Sequence, residues 1–429
     1  MSDLPEEPTV DRTSVELFAG GGGLAMAVHG AGFRPLLVNE MVRYACHTLK
    51  LNAATTRGED EWIPTRQDRW PLVEGDVREV DFGYLWDRVD LLAGGPPCQP
   101  FSLGGVAKGD EDKRNMFPEM FRAIREIQPK AVICENVRGL LRPSFRPYFD
   151  YIERELQLPF EERDEAASWQ EHDEILRRRL GETPSDPKRR YQVRTFPVNA
   201  ADYGVPQIRN RIILVAFRSD LGVDLDRFEQ SVRPTHSESA LARTMLDGTY
   251  WDRHPGVPGH VRRRVMTRLS GATTIADGTL PWRTLRDAIA GDDDQRPLPA
   301  VPWDRLDRQE HLLGGFTDHI GWPGARIYAG HTPNELDRPA KTVKAGVHGV
   351  PGGESVMLTD DLDPAADTYR HRYMTVRETA RVMTFPDDWK LAGPRGEQMR
   401  QLGNAVPVVL GEFFARKIAE ALDEADKQP

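Results

Sequence analysis

The run Val89-Asp90-Leu91-Leu92-Ala93-Gly94-Gly95 leads directly into Pro96-Pro97-Cys98-Gln99-Pro100-Phe101-Ser102. An apolar stretch of that length reads as a buried strand, and the prolines behind it fix φ and remove backbone donors. Cys98 is therefore held on a stiff loop at the C-terminal end of a strand, where open α/β sheets keep their ligands. That is a position for a nucleophile. For this stretch alone, a small cysteine packed in a proline-rich turn is the bland alternative.

The rest of the first half repeats the strand pattern. Short apolar runs at 15–18, 35–40, 71–77, 90–95 and 131–137 alternate with helical spacers such as 116–127, which predicts βαβ units and a doubly wound α/β sheet. Two more strand-like runs, 191–197 and 211–217, close it. The charged stretch at about 151–190 reads as an insertion packed on the outside, with no chemistry assigned. Beyond 221 the texture turns to Gly, Pro, Trp and Arg without sustained helical period, which predicts a second, irregular, loop-rich domain. The expected division is a disordered tail at 1–12, a catalytic and cofactor-binding domain at 13–220, a second domain at 221–395 and a segment at 396–429 that returns to the first. Residues 424–429 also read as a disordered end.

Composition sets further bounds. The chain has 429 residues, 29% of them charged, and no apolar run near the roughly 20 residues of a spanning helix. It opens Met1-Ser2-Asp3-Leu4-Pro5 without the basic and apolar regions of a secretory leader. A cytoplasmic protein with no membrane partner is expected. Three cysteines without Cys-x-x-Cys spacing signal neither a disulfide framework nor a zinc site, so no metal is expected and the compartment reads as reducing. The formal charge of −10 argues against a uniform basic coat, yet Lys188, Arg189, Arg190, Arg194, Arg209, Arg211 and Arg218 cluster, as do Arg262, Arg263, Arg264 and Arg268. Either cluster alone could be a solvated face.

Phe18-Ala19-Gly20-Gly21-Gly22-Gly23-Leu24 follows the first strand and opens a helix, so a ligand can approach the backbone there. Glu40 ends the second strand about twenty residues on, where an acid accepts hydrogen bonds from ribose hydroxyls. An adenosine-containing cofactor is implied. The fingerprint suits a nicotinamide dinucleotide as well as S-adenosylmethionine. Asp76 ends the third strand as an adenine contact or as a turn acid. Glu135 closes the fifth strand, badly placed for packing and well placed to meet a ligand. Arg209 and Arg211 alternate in Gln207-Ile208-Arg209-Asn210-Arg211, which puts both on one face of an extended segment, free to reach a phosphate or a base carbonyl or to stay solvated.

In this order, Phe18-Ala19-Gly20-x-Gly22-Gly23, Glu40, Gly75-Asp76-Val77, Pro96-Pro97-Cys98-Gln99-x-Phe101-Ser102, Glu135-Asn136-Val137, Gln207-x-Arg209-x-Arg211, Arg338-Pro339-Ala340-Lys341-Thr342 and Gly403-Asn404-Ala405-Val406-Pro407 resemble the cytosine-C5 DNA methyltransferase family. Thr375-Val376-Arg377-Glu378-Thr379-Ala380-Arg381, with Phe385-Pro386-Asp387, is similar to that family's approach to its last motif. The resemblance implies a Rossmann-like S-adenosylmethionine-dependent catalytic domain with a target-recognition domain at 221–395. It implies transfer of a methyl group to C5 of a flipped cytosine in a short duplex DNA sequence, through a covalent Cys98 adduct at C6. Glu135 would protonate or hydrogen-bond N3, and Arg211 with Arg209 would hold the O2 edge. Phe18, Ala19, Gly20, Gly22, Gly23, Leu24, Glu40, Met41, Asp76, Val77, Pro97, Asn404 and Val406 would contact the cofactor. Met41 stands where the family often has an aromatic residue, which leaves Phe18 for the other face of the adenine.

A bacterial modification enzyme is implied, monomeric, set beside a separately encoded restriction endonuclease, in another phage-defence system, or acting alone. A nicotinamide oxidoreductase explains only the glycines and Glu40. A non-catalytic relative leaves the catalytic set without purpose, and a tRNA-directed member would have a smaller recognition region. The Gly346-Val347-His348-Gly349 loop reads as a close approach to the backbone or a structural turn.

Overall fold

The computed structural model describes residues 11–58, 62–97, 115–271, 274–291, 295–303, 312–345, 355–365 and 368–427. Cys98 and the loop around His348 lie outside them. The described chain forms two compact units. One comprises residues up to Val198 with Asn210–Arg233 and Gly411 onward; the other comprises Asn199–Arg209 and Pro234–Leu410.

The first unit is built on an eight-stranded sheet with the order β3-β4-β2-β1-β5-β6-β8-β7. Its strands are β1 (Thr13–Leu17), β2 (Arg34–Glu40), β3 (Ala54–Thr56), β4 (Trp70–Glu74), β5 (Leu91–Gly94), β6 (Ala131–Val137), β7 (Tyr191–Asn199) and β8 (Asn210–Arg218). From β3 to β6 every pairing is parallel, and β8 runs antiparallel to β6. The fold class is α/β, as the strand spacing implied; the short edge strand β3 lies too close behind α2 (Arg43–Asn52) to stand out in the sequence. Central strands β1 and β5 are buried along their whole length; β5 therefore reads as a continuous apolar run, whereas β1 also buries Thr13, Ser14 and Glu16. Glu16 has one carboxylate oxygen lacking any hydrogen-bond partner, and burial raises its pKa well above the ordinary value.

Helices cover the faces. In α3 (Phe117–Ile127) the buried set Phe117, Met120, Phe121, Ile124 and Ile127 follows helical spacing, Pro118 sits in the first turn, and Gln128 closes the end at a left-handed φ of 52°. The charged stretch differs from the sequence expectation. Both α4 (Arg146–Gln157) and α5 (Trp169–Leu180) insert apolar residues into the main core, among them Tyr151, Ile152, Leu156 and Leu176. Most of their charged residues face away from the core, while Glu155 and Asp173 are buried, the latter paired with Arg154. The expected tails differ too. Arg12 is buried and pairs with Asp90, Asp423 and Asp426, so 12 and 423–426 form one clamp.

The second unit is less irregular than its composition implied. Among the described residues it holds α7 (Glu238–Asp247), α8 (Thr249–Arg253), α9 (Gly259–Arg268), α10 (Leu285–Ala290), α11 (Val376–Val382), α12 (Arg395–Asn404) and the start of α13 (Val408–Ala425), after α6 (Leu225–Ser231) in the first unit. Its longest strands, Val356–Asp363 and Thr368–Tyr373, pair antiparallel. Leu241, Met245, Tyr250, Trp251 and Val265 form a small core. Short helices with Gly and Arg between them hide their period from a sequence reading.

Candidate active site

In the first unit the parallel strands end side by side. Leu17 of β1 pairs with Gly94 of β5, and Gly94 with Cys134 of β6; on the other side Glu16 pairs with Val38 of β2, and Glu40 with Glu74 of β4. The residues that follow these ends therefore crowd one edge of the sheet. Along it lie Asp76 after β4, Glu40 at the end of β2, the glycine loop after β1, Pro96-Pro97 after β5 and Glu135 in β6. The chain order reverses between β1 and β5, which is the crevice where such sheets bind ligands.

The glycine loop opens with Phe18 at φ 58°, Gly20 at φ 55° and Gly22 at φ 93°. A bulky residue in the left-handed region is an uncommon, strained conformation, and such residues gather at ligand loops. Gly22 caps α1 (Gly23–Gly30) without any side-chain hydrogen bond and without an acid in the first turn, so the positive end of the helix is left for a ligand. Glu40 is buried, and its carboxylate accepts from the N–H groups of Gly20 at 2.6 Å, Met41 at 2.9 Å and Val42 at 2.7 Å. Burial raises its pKa while those three donors pull it down. Glu40 thus ties the glycine loop to β2 in addition to any ribose contact, a structural duty the sequence did not announce. Met41 is 65% exposed beside it, and Phe18 is half-buried against the main core. Ala19, Gly22, Gly23, Leu24 and Val77 are buried. Asp76 accepts from the backbone N–H of Arg78 at 3.1 Å and from its Nε at 2.9 Å, and these bonds lower its pKa to about 2.

Glu135 is 9% exposed. Arg211 reaches it because β8 runs antiparallel to β6, which brings the start of one strand to the end of the other: Val137 pairs with Arg211 and Glu135 with Ile213. Arg211 Nε lies 2.7 Å from Glu135 Oε1, an ion pair by distance. The N–H is not aimed at the oxygen, and Oε1 is left buried without a hydrogen bond. The other oxygen faces Gly95, where a Cβ would stand 3.8 Å from it. Asn136 Nδ2 donates to the Pro96 carbonyl at 3.1 Å, which fixes the start of the proline loop on β6. Pro97 is exposed, one residue before Cys98. The other two cysteines are unsuited to attack: Cys46 and Cys134 are buried, and burial pushes both thiols up to about 12.

Arg209 does not share a face with Arg211. It precedes β8, belongs to the second unit and is 1% exposed. Its Nη1 donates to the Val343 carbonyl, and its Nη2 donates to those of Gly403 and Ala405, each at 2.9 Å. Alternation puts both arginines on one face only along a continuous strand, and the strand begins only at Asn210. Gln207 works beside it, accepting from Val343 N–H at 3.1 Å. Arg209 is thereby a clamp on the end of α12 and its cap, Gly403-Asn404-Ala405, where Asn404 is exposed and Val406 buried. Gly403 is required there, since a Cβ would overlap the backbone of Lys344 and Ala345. The basic clusters are also largely spent: Arg194 pairs with Asp226 and Glu229, Arg218 with Asp87 and Asp220, and both Arg264 and Arg268 with Glu335. Among the described residues no group of three or more His, Cys, Asp or Glu is arranged to hold a metal ion, and no helix is long and apolar enough to cross a membrane.

Residues 12–158, 188–266 and 318–420 match the C-5 cytosine-specific DNA methylase family. The chain belongs to that family. It is similar to the type II methyltransferase M.Eco47II of Escherichia coli, with 30% identity over 434 residues that cover 100% of this chain and 84% of the relative. It is also similar to M.NgoMIV of Neisseria gonorrhoeae, with 29% identity covering 96% and 98%. Solved structures share its fold. The Dnmt2 methyltransferase of S. pombe superimposes with a TM-score of 0.54 at 15% identity, covering 96% of this chain and 99% of that one, and the Entamoeba histolytica methyltransferase EhMeth with 0.51 at 13%, covering 98% and 100%. The protein is accordingly a DNA (cytosine-5)-methyltransferase, and its family and fold are those of S-adenosylmethionine-dependent enzymes. The matched ranges skip 159–187, most of the expected insertion, and 267–317.

Proposed function

We propose that this enzyme methylates C5 of one cytosine in a short duplex DNA sequence, with Cys98 as nucleophile and Glu135 as the acid that meets the base. The observation that carries this reading is Glu135 itself: a buried carboxylate at the sheet edge, with one oxygen ion-paired to Arg211 but lacking a hydrogen bond and the other facing a glycine, next to Pro96, whose carbonyl Asn136 holds. A buried acceptor without a hydrogen bond retains the capacity to take one from a ligand.

The glycine loop, the uncapped start of α1 and Glu40 fit an adenosyl cofactor that carries a carboxylate and a ribose. Phe18, Gly20, Gly22, Glu40 and Asp76 would hold S-adenosylmethionine, along with Met41, Pro97, Asn404 and Val406. When bound, it supplies an electrophilic methyl group. The protein's own residues make the base receptive. A free thiol has a pKa of about 8.5, so Cys98 attacks as the thiolate fraction. Its sulfur bonds to C6, the C5–C6 π electrons shift toward N3, and a Glu135 proton meets the charge there, covalent catalysis that splits one hard step into easier ones. C5 then behaves as an enamine carbon, the atom to which the bound cofactor would supply its methyl group, its demethylated thioether being the leaving group. Loss of the C5 proton to water, return of the N3 proton to Glu135 and departure of the Cys98 thiolate restore the ring and the acid. Arg211 orients Glu135 and faces the same edge of the base. A stacked cytosine cannot expose C6 and C5 together, so it leaves the duplex at a cost of a few kcal/mol, offset by contacts in the pocket and along the strand. The region at 221–395 reads the neighbouring bases, and a cognate restriction endonuclease is the matching partner.

The test is 5-methylcytosine sequencing of DNA from a methylation-free host that expresses the wild type, Cys98→Ser or Glu135→Gln. Methylation at one short motif with the wild type, none with Cys98→Ser and a loss of about 10²-fold or more with Glu135→Gln supports the reading. Unmodified DNA from soluble wild-type protein refutes it.

A further inference from the structure

A cavity of about 690 Å³ in the second unit is lined, apart from Val376, by residues outside the motifs. It lies under the exposed loop Pro323-Gly324-Ala325-Arg326-Ile327-Tyr328-Ala329-Gly330. Trp322 and Tyr373 pack edge to face along one wall, with ring centroids 6.2 Å apart, and the Arg395 guanidinium lies 4.6 Å above the Trp322 ring. The acid on the wall, Asp318, is already engaged, accepting from Gln398 Nε2 at 3.0 Å. At the mouth, Tyr328 is 55% and Ile327 44% exposed, and Arg326 forms no ion pair among the described residues. From 319 to 334 the sequence holds no carboxylate. Gly324 and Gly330 bracket the loop at φ 74° and 80°, with open space where a Cβ would stand.

An exposed aromatic ring near a guanidinium that has no ion pair among the described residues, over a mainly apolar cavity, is poor design for a surface that meets only water. The combination matches a ligand with a π face, acceptor atoms on its edge and negative charge nearby. Bases stack on aromatic rings whatever their sequence, while arginine reads the acceptor edge of a purine or a phosphate oxygen. We propose that this cavity takes an unstacked nucleobase of the DNA substrate other than the target cytosine, with Tyr328 as its stacking face and Arg326 on its acceptor edge. The proposal rests on the reading of the protein as a DNA methyltransferase and assigns Arg326 and Tyr328 as specificity-determining residues. Both side chains are exposed, so their removal leaves the fold intact.

The test compares the wild type with Tyr328→Ala and Arg326→Ala on duplexes that carry the methylated motif, in which each position in turn is 2-aminopurine. The proposal expects one position other than the target to brighten on binding to the wild type but not to Tyr328→Ala. DNA Kd by anisotropy should rise about tenfold for each variant, and methylation should relax at that position, with kcat at saturating DNA within twofold and an unchanged melting temperature. Wild-type Kd, motif and fluorescence in both variants overturn it while leaving cytosine methylation standing. Failure of the wild type to methylate DNA overturns the earlier reading instead, and the anisotropy of the two variants on unmodified duplex pools still decides whether this loop binds DNA.

Discussion

Replacing Arg209 with methionine should unfold the second unit well before it touches substrate binding. The side chain is 1% exposed and gives three hydrogen bonds of 2.9 Å to the carbonyls of Val343, Gly403 and Ala405. Hydrogen bonds to a charged group contribute about 1.5–3 kcal/mol each, and the carbonyls left behind keep their desolvation cost. The lower figure, taken for three bonds that share one donor group, gives about 4–5 kcal/mol, in line with the about 3–5 kcal/mol for breaking a buried charged pair. A unit of this size loses about 2–4 °C per kcal/mol, so its calorimetric transition should fall by about 10–15 °C. Arg209→Lys keeps a charge and reaches fewer of the three oxygens, so it should fall between the two. Limited proteolysis should cut within 234–410 first. If instead Arg209 met a DNA phosphate, the methionine variant would melt within about 2 °C of the wild type and bind DNA with a salt slope smaller by about one. That result would refute the clamp.

Other consequences are as direct. Burial alone would raise the pKa of Asp287 on α10, but hydrogen bonds from His254 and Thr284 with the charge of Arg253 hold it at about 2. A depressed carboxylate contributes stability that is present above its unfolded value near 4 and lost as the pH falls toward 2, about 2 kcal/mol here. The cost of Asp287→Asn in urea unfolding should therefore shrink across that window, and a cost independent of pH would sink the account. Gly403→Ala should destabilise by about 1–3 kcal/mol through overlap with the 344–345 backbone, read as a lower urea midpoint; an unchanged midpoint contradicts the close approach. Glu40→Ala removes the acceptor of three N–H groups and should weaken S-adenosylmethionine binding at least tenfold by titration calorimetry, whereas an unaltered Kd would remove Glu40 from the cofactor loop.

What the chain reveals unaided is the first unit's plan and most of its working edge. Parallel strands buried on both faces have apolar centres, so Leu36–Val38 of β2, Leu91–Gly94 of β5 and Ala131–Cys134 of β6 are visible as runs, and the residues that follow them meet at one edge of the sheet. Phe18, Gly20, Glu40, Asp76 and Glu135 fall within or just past the ends of these strands, as their place in the sequence implied; Cys98 lies outside the described residues. Contacts that depend on direction and partner were settled only by the folded molecule. That β8 runs antiparallel, which delivers Arg211 to Glu135, is not written in the local pattern. Nor is the fate of Arg209, since a guanidinium looks the same in sequence whether it meets a phosphate or three carbonyls from segments more than 130 residues away. The charged stretch of α4 and α5 shows why: a long helix can carry many charges and still bury one apolar face, and only packing shows which face is inside. Sequence fixes what each strand end offers, because period and burial are local. Which offers are taken up is a matter of distance, and distance belongs to the tertiary structure.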